Sequence, residues 1–157
     1  MALEFNTAGF ALKWACESVA GTRPTSGYTD MPDIIELPAI NNAPSGIDVT
    51  PLSEPEWIRR IAGLKDMGDS LTVRSNGTTT FATSWDALVT AAATARAGGK
   101  DTWFEVKFPT DSGYTDSFYF SGEPSNRGFF GASVNTAYQG DNYITPHKIE
   151  GFASAST

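Results

Sequence analysis

The chain is poor in the side chains that most chemistry requires. Cys16 is its one cysteine and His147 its one histidine. A lone cysteine excludes an internal disulfide, and its place in the apolar-leaning run 10–19 marks Cys16 as a small buried hydrophobe rather than a redox thiol. With a single cysteine and a single histidine, no zinc site of ordinary ligand count can form within one chain, and no EF-hand spacing of acidic residues occurs. A Ser-His-Asp or Cys-His arrangement would have to run through His147, which stands between Pro146 and Lys148 and reads as a surface or interface histidine. Phosphate-cradling loops, a dinucleotide fingerprint and a nucleophile elbow are absent, and the glycines fall mainly in turns. The expectation is a protein without metal or cofactor and without enzymatic activity.

Basic charge is also scarce. Eleven Lys and Arg stand against 18 Asp and Glu, for a net charge of −7. A surface of that sign gains nothing from counterion release and disfavours nucleic-acid binding. It suits a conduit through which DNA slides without sticking. Long apolar runs are missing as well: Glu4 stands where a signal peptide carries basic charge, and no segment approaches a membrane span. Synthesis in the cytosol and no membrane association are expected.

What is present is 157 residues, the length of one domain, with 40% hydrophobic residues, 15 Gly and 9 Pro. Residues 9–19 alternate as a half-buried strand, with Leu12, Trp14 and Cys16 on one side and Lys13, Ala15 and Glu17 on the other. Residues 1–8 precede it as an arm. Residues 21–30 are loop chemistry, and 33–37 a short strand bracketed by prolines. Residues 69–76 alternate again, with Leu71 and Val73 inward. Helical spacing of Phe81, Trp85, Leu88, Val89 and Ala92 predicts one helix over 83–97, capped by Thr83 or Ser84 and ended by Gly98 and Gly99. Residues 102–109 and 115–122 form a hairpin around Gly113, and 132–139 with 143–151 a second one. The last residues, 152–157, are small and polar and are expected to fray as a tail.

The longest irregular region is 43–68. It carries three prolines and one short strand near 46–50, yet also Leu52, Trp57, Ile58, Ile61 and Leu64, which a disordered linker would lack. The region reads as a loop ordered by a partner surface. Two other features are weaker. The carboxylates Glu105, Asp111, Asp116 and Glu123 lie on or near one hairpin and could serve glycoside hydrolysis, but solvated outer faces explain them better. Trp57, Trp103, Tyr119 and Tyr138 could form a sugar-stacking platform, although burial is the better reading for Trp103 and Tyr119. The pentapeptide Ser-Gly-Tyr-Thr-Asp occurs at 26–30 and again at 112–116, which reads as convergent turn chemistry.

The run Glu-Trp-Ile-Arg-Arg-Ile-Ala-Gly-Leu-Lys-Asp-Met-Gly-Asp-Ser-Leu-Thr-Val-Arg-Ser-Asn at 56–76 resembles the phage tail tube (major tail) protein family. The order of later features is similar to it too: Ser84-Trp85 on a helix, Trp103-Phe104-Glu105, the strand 118–124, and Tyr143-Ile144-Thr145-Pro146. The resemblance implies a mainly β fold, a sandwich or barrel-like core of two packed antiparallel sheets with one flanking helix. It also implies hexameric rings stacked into a tube for genome ejection. It makes 43–68 the loop that reaches neighbouring subunits, with Leu52, Trp57, Ile58, Ile61 and Leu64 as its apolar anchors, and it implies a set of partners. These are a tape measure protein in the lumen, a tail terminator, baseplate or distal tail proteins, phage DNA in transit without specific binding, and a sheath if the tail contracts. The alternative expectation is a carbohydrate- or receptor-binding β-sandwich module of a virion.

Overall fold

A computed structural model describes residues 8–41, 43–66 and 68–157. The arm expected at 1–8 falls, apart from Ala8, outside the described residues, as do Asn42 and Met67. The chain divides into two compact units, Met1–Pro38 with Ser70–Thr157, and Ala39–Asp69. Among the described residues the protein is mainly β with one α-helix, as expected, and its strands divide into two antiparallel sheets of very unequal size.

The larger unit holds a seven-stranded sheet in the order β2-β1-β7-β8-β9-β6-β3, every neighbour antiparallel. Its strands are β1 (Ala11–Cys16), β2 (Thr29–Asp30), β3 (Ile34–Glu36), β6 (Leu71–Asn76), β7 (Thr102–Lys107), β8 (Asp116–Pro124) and β9 (Gln139–Ser154). The helix α1 (Thr79–Ala97) joins β6 to β7, which are separated in the sheet by β8 and β9. It packs on β1, β7 and β8.

Helix α1 starts a turn earlier than the sequence suggests. Thr78, not Thr83 or Ser84, is the N-cap, its Oγ1 accepting from Phe81 N at 3.1 Å. Propensity misleads here because three consecutive threonines are poor helix formers, whereas the cap and the buried Phe81 outweigh them. At the other end Lys100 N bonds Ala95 O at 2.9 Å and Gly99 N bonds Arg96 O at 3.0 Å, with Gly99 at φ 71°. That is a Schellman stop, and it needs glycine for the left-handed residue. Phe81, Trp85, Leu88, Ala92 and Ala95 form the buried stripe. Trp85 is 0% exposed and donates its Nε1–H to Ser125 O at 2.9 Å.

Register assigns the two faces of the sheet. Phe104 lies opposite both Trp14 and Phe120, and Leu12 opposite Val106, giving an apolar face for the helix. The other face carries Trp103, Glu105, Ser117, Tyr119 and Ser121, all buried. Hence the alternation in β1 and β7 is not between buried and exposed: Ala15, Glu17, Trp103 and Glu105 are as buried as Leu12 and Phe104.

The second hairpin expected at the C-terminal end is not formed. Residues 132–138 are irregular, with Asn135 at φ 62°, and β9 is one long strand. It pairs with β6 through Gln139–Ile144 and with β8 through Ile144–Ser154. Pro146 therefore sits where β9 has already left β6, at a register shift opposite Gly122, where its missing N–H costs no ladder bond. The irregular segment is tied down by rings: a side chain on Gly140 would strike Phe130, and one on Gly77 would strike Tyr138. The expected frayed tail is also absent, because β9 runs to Ser154 and the residues after it are hydrogen-bonded.

Candidate functional site

The smaller unit corrects the reading of 43–68 as an irregular loop. It is a two-stranded antiparallel hairpin of β4 (Ala43–Asp48) and β5 (Arg60–Asp66), with Ile47 opposite Ile61, Asp48 opposite Arg60, and a bulge between the pairs at Pro44 and Gly46. Prolines at 44, 51 and 55 obscured it: Pro44 sits beside the bulge, and the other two fall in the connection.

The connection is organised by its own polar groups. Val49 N donates to Arg59 O at 2.9 Å, extending the ladder by one pair. Thr50 closes the turn, its N and Oγ1 donating to Asp48 Oδ1 at 2.9 and 2.6 Å, while Arg59 N donates to Thr50 Oγ1 at 2.8 Å. Those hydrogen bonds hold Asp48 below the usual carboxylate range. Arg59 pairs with Glu54 at 3.3 Å. Two glycines let long side chains lie flat on the hairpin. Arg60 Cδ occupies the space a Cβ on Gly46 would need, at 2.9 Å, and the Ile47 side chain covers Gly63 at 3.3 Å.

Backbone satisfaction is therefore local, but apolar burial is not. Leu52, Trp57, Ile58, Ile61 and Leu64 are all exposed, Trp57 at 73% and Leu64 at 90%. Ile61 shares a face with Ile47 across the strand pair; Leu52, Trp57 and Ile58 lie in the connection; Leu64 lies in the bulge. Ile47 and Val49 are exposed as well and belong with them. The short strand expected at 46–50 already contained both, but without its partner strand the face they share with Ile61 was not legible.

Elsewhere, candidate chemical groups are occupied by structural partners. His147 Nδ1 lies 3.1 Å from Asp101 Oδ1 at the surface, and Cys16 Sγ lies 3.5 Å from Thr102 Oγ1. Of the four hairpin carboxylates, Glu123 pairs with Arg96, whereas Glu105 is fully buried. Burial alone would raise Glu105, but hydrogen bonds from Ser156 and Tyr119 outweigh it and hold the carboxyl below its usual value. Glu17 is likewise buried and likewise held low, accepting from Trp103 Nε1 at 2.8 Å, Gly21 N at 2.9 Å and Asp101 N at 3.0 Å. Among the described residues no group of three or more His, Cys, Asp or Glu could hold a metal ion, and no helix is long and apolar enough to cross a membrane.

A groove of about 540 Å³ runs between α1 and the end of β8, lined by Val89, Ala92, Glu123, Pro124, Ser125 and Thr145 among others. Glu123, its one ionisable lining group, is the partner of Arg96. Of the four aromatics considered for a sugar platform, Trp103 and Tyr119 are buried, which leaves Trp57 and Tyr138 exposed.

No family profile matches the chain, and no curated protein matches it in sequence. Among solved structures it is similar to a chain of the "Cryo-EM structure of the anti-feeding prophage (AFP) baseplate, 6-fold symmetrised", with a TM-score of 0.62 at 9% identity over 100% of both chains. The two chains share a fold from end to end.

Proposed function

We propose that this chain is a structural protein of a phage-tail-type particle, and specifically that it builds a tail tube from stacked hexameric rings. The observation that carries the reading is the end-to-end likeness to a chain of a sixfold-symmetrised baseplate, a phage-derived assembly. An assembly role is further supported by the uncovered apolar residues of the β4–β5 hairpin.

The physics of such an assembly is simple. A contact that closes after six rotations gives a ring, and a second, axial contact that does not close gives a tube. The open edges of the large sheet suit the first. β2 and β3 are two and three residues long, and β3 pairs with β6 only at Arg74 and Ser75, so among the described residues Leu71 to Val73 have a strand partner on one side alone. A neighbouring copy would cover such edges. The hairpin residues Ile47, Trp57, Ile58, Ile61 and Leu64 suit the second contact.

The partners that follow are other copies of the chain, a tape measure protein in the lumen, a terminator at one end and baseplate proteins at the other. A sheath joins them if the tail contracts. DNA passes without specific binding, in keeping with the net charge of −7. The location is the virion, and the chain has no catalytic role. Negative-stain microscopy of the concentrated protein tests the proposal: hollow rings or tubes are expected, and persistent monomers that bind glycans would sink it.

A further inference from the structure

The residues after β9 turn back across the sheet instead of leaving it. Ala155 N donates to Thr115 O at 3.3 Å and Thr157 N to Thr25 O at 3.4 Å. Between them, Ser156 gives both of its donors to one carboxylate, its N–H reaching Glu105 Oε2 at 2.9 Å and its hydroxyl reaching Oε1 at 2.6 Å. The anchoring carbonyls belong to the repeated pentapeptide and its flank. Thr115 is in the second copy and Thr25 immediately precedes the first, and the two copies turn alike, with Gly27 and Gly113 both at φ 80°.

Glu105 is 0% exposed, so its charge must be met by neighbours. Lys13 stands opposite it in the β1–β7 register but pairs with Asp30 at 3.5 Å. Arg23 pairs with Glu150 and lies 3.9 Å from the centre of the Tyr119 ring. Tyr28, whose ring is 5.9 Å from that of Tyr119, Lys107, two residues further along β7, and Glu17, which accepts from Trp103, also lie on this side. Tyr119 has one hydroxyl proton, and both Glu105 Oε2, at 2.8 Å, and Ser154 O, at 2.7 Å, compete for it. Ser156 is thus the main donor to a buried carboxylate.

We propose that residues 155–157 form a proton-released strap, in which the Glu105 carboxylate clamps Ser156 and protonation of Glu105 lets the segment lift from the sheet. Docking favours the ionised carboxyl, because two hydrogen bonds to it exist only in the docked state. By linkage, the docked form holds Glu105 below its usual range while release raises it. The clamp is therefore complete at neutral pH and weakens as pH falls through the docked value. Release would uncover the Thr25 and Thr115 carbonyls along a line that fits an extended chain.

Amide hydrogen exchange of the full chain, followed by NMR and corrected for intrinsic rates, reads the strap directly. The Ser156 and Ala155 amides should be protected at pH 7 and lose protection in acid while Phe104 and Phe120 stay protected. Glu105→Gln should raise Ser156 opening by on the order of tenfold at pH 7 and remove its pH dependence. Ser156→Pro, which deletes both donors and keeps Glu105, should raise the Glu105 titration midpoint seen in its carboxyl carbon shift. Ser156 protection that persists until the core unfolds, or a Glu105 midpoint unmoved by Ser156→Pro, would overturn the proposal.

Discussion

The two units solve the same problem to different degrees. In the larger one, backbone pairing and apolar burial coincide: Trp85, Leu88 and Phe104 are fully buried. In the β4–β5 hairpin the backbone is paired and the turn is closed by Asp48 and Thr50, yet the large apolar side chains face outward. Isolated two-stranded hairpins are marginal in water. The hairpin thus pairs its backbone and leaves its large apolar side chains exposed, whereas the sheet and its helix bury theirs, and on the proposed function the hairpin is the element that a neighbouring copy covers.

The comparison is broken most severely by Trp85→Ala, which removes the centre of the helix stripe and its bond to Ser125. A loss of about 3–5 kcal/mol is expected in a denaturant titration. Next in size is acid. Glu17 and Glu105 are held low in the folded state, so the stability they contribute is complete above the usual carboxylate value and is lost as pH falls through their lowered folded values. At the alkaline end, burial pushes Tyr28 from 10.0 to about 12. The fold therefore loses stability as pH rises from the unfolded value towards the folded one, which thermal midpoints across pH would show. Thr78→Ala removes the cap of α1 and should cost about 1 kcal/mol. Trp57→Ser in the hairpin should change stability by less than about 0.5 kcal/mol while reducing self-association.

Much of the larger unit was legible because its signals are local. The helix stripe, the Gly98-Gly99 stop and the alternation in β6 depend on spacing alone. What was missed depends on distant partners. Thr78 caps the helix and hydrogen-bonds Asp33 as well, neither of which a propensity run reveals. Residues 132–138 carry strand-forming side chains, but the ring of Tyr138 packs over Gly77 and that of Phe130 over Gly140, and that packing holds the segment out of the sheet. The tail looked loose because its clamp, Glu105, lies 51 residues away. In the hairpin, Leu52, Trp57, Ile58, Ile61 and Leu64 were legible as apolar side chains in an odd place, whereas prolines at the bulge and in the connection hid the strand pairing.

Sedimentation velocity of the concentrated protein, with Trp57→Ser and Leu64→Ser run beside it, tests the hairpin account most directly. The expected result is a species larger than one ring for the unmodified chain and a folded species no larger than one ring, with an unchanged thermal midpoint, for each variant. Equal assembly by all three proteins, or a strictly monomeric unmodified chain at every concentration, would contradict it.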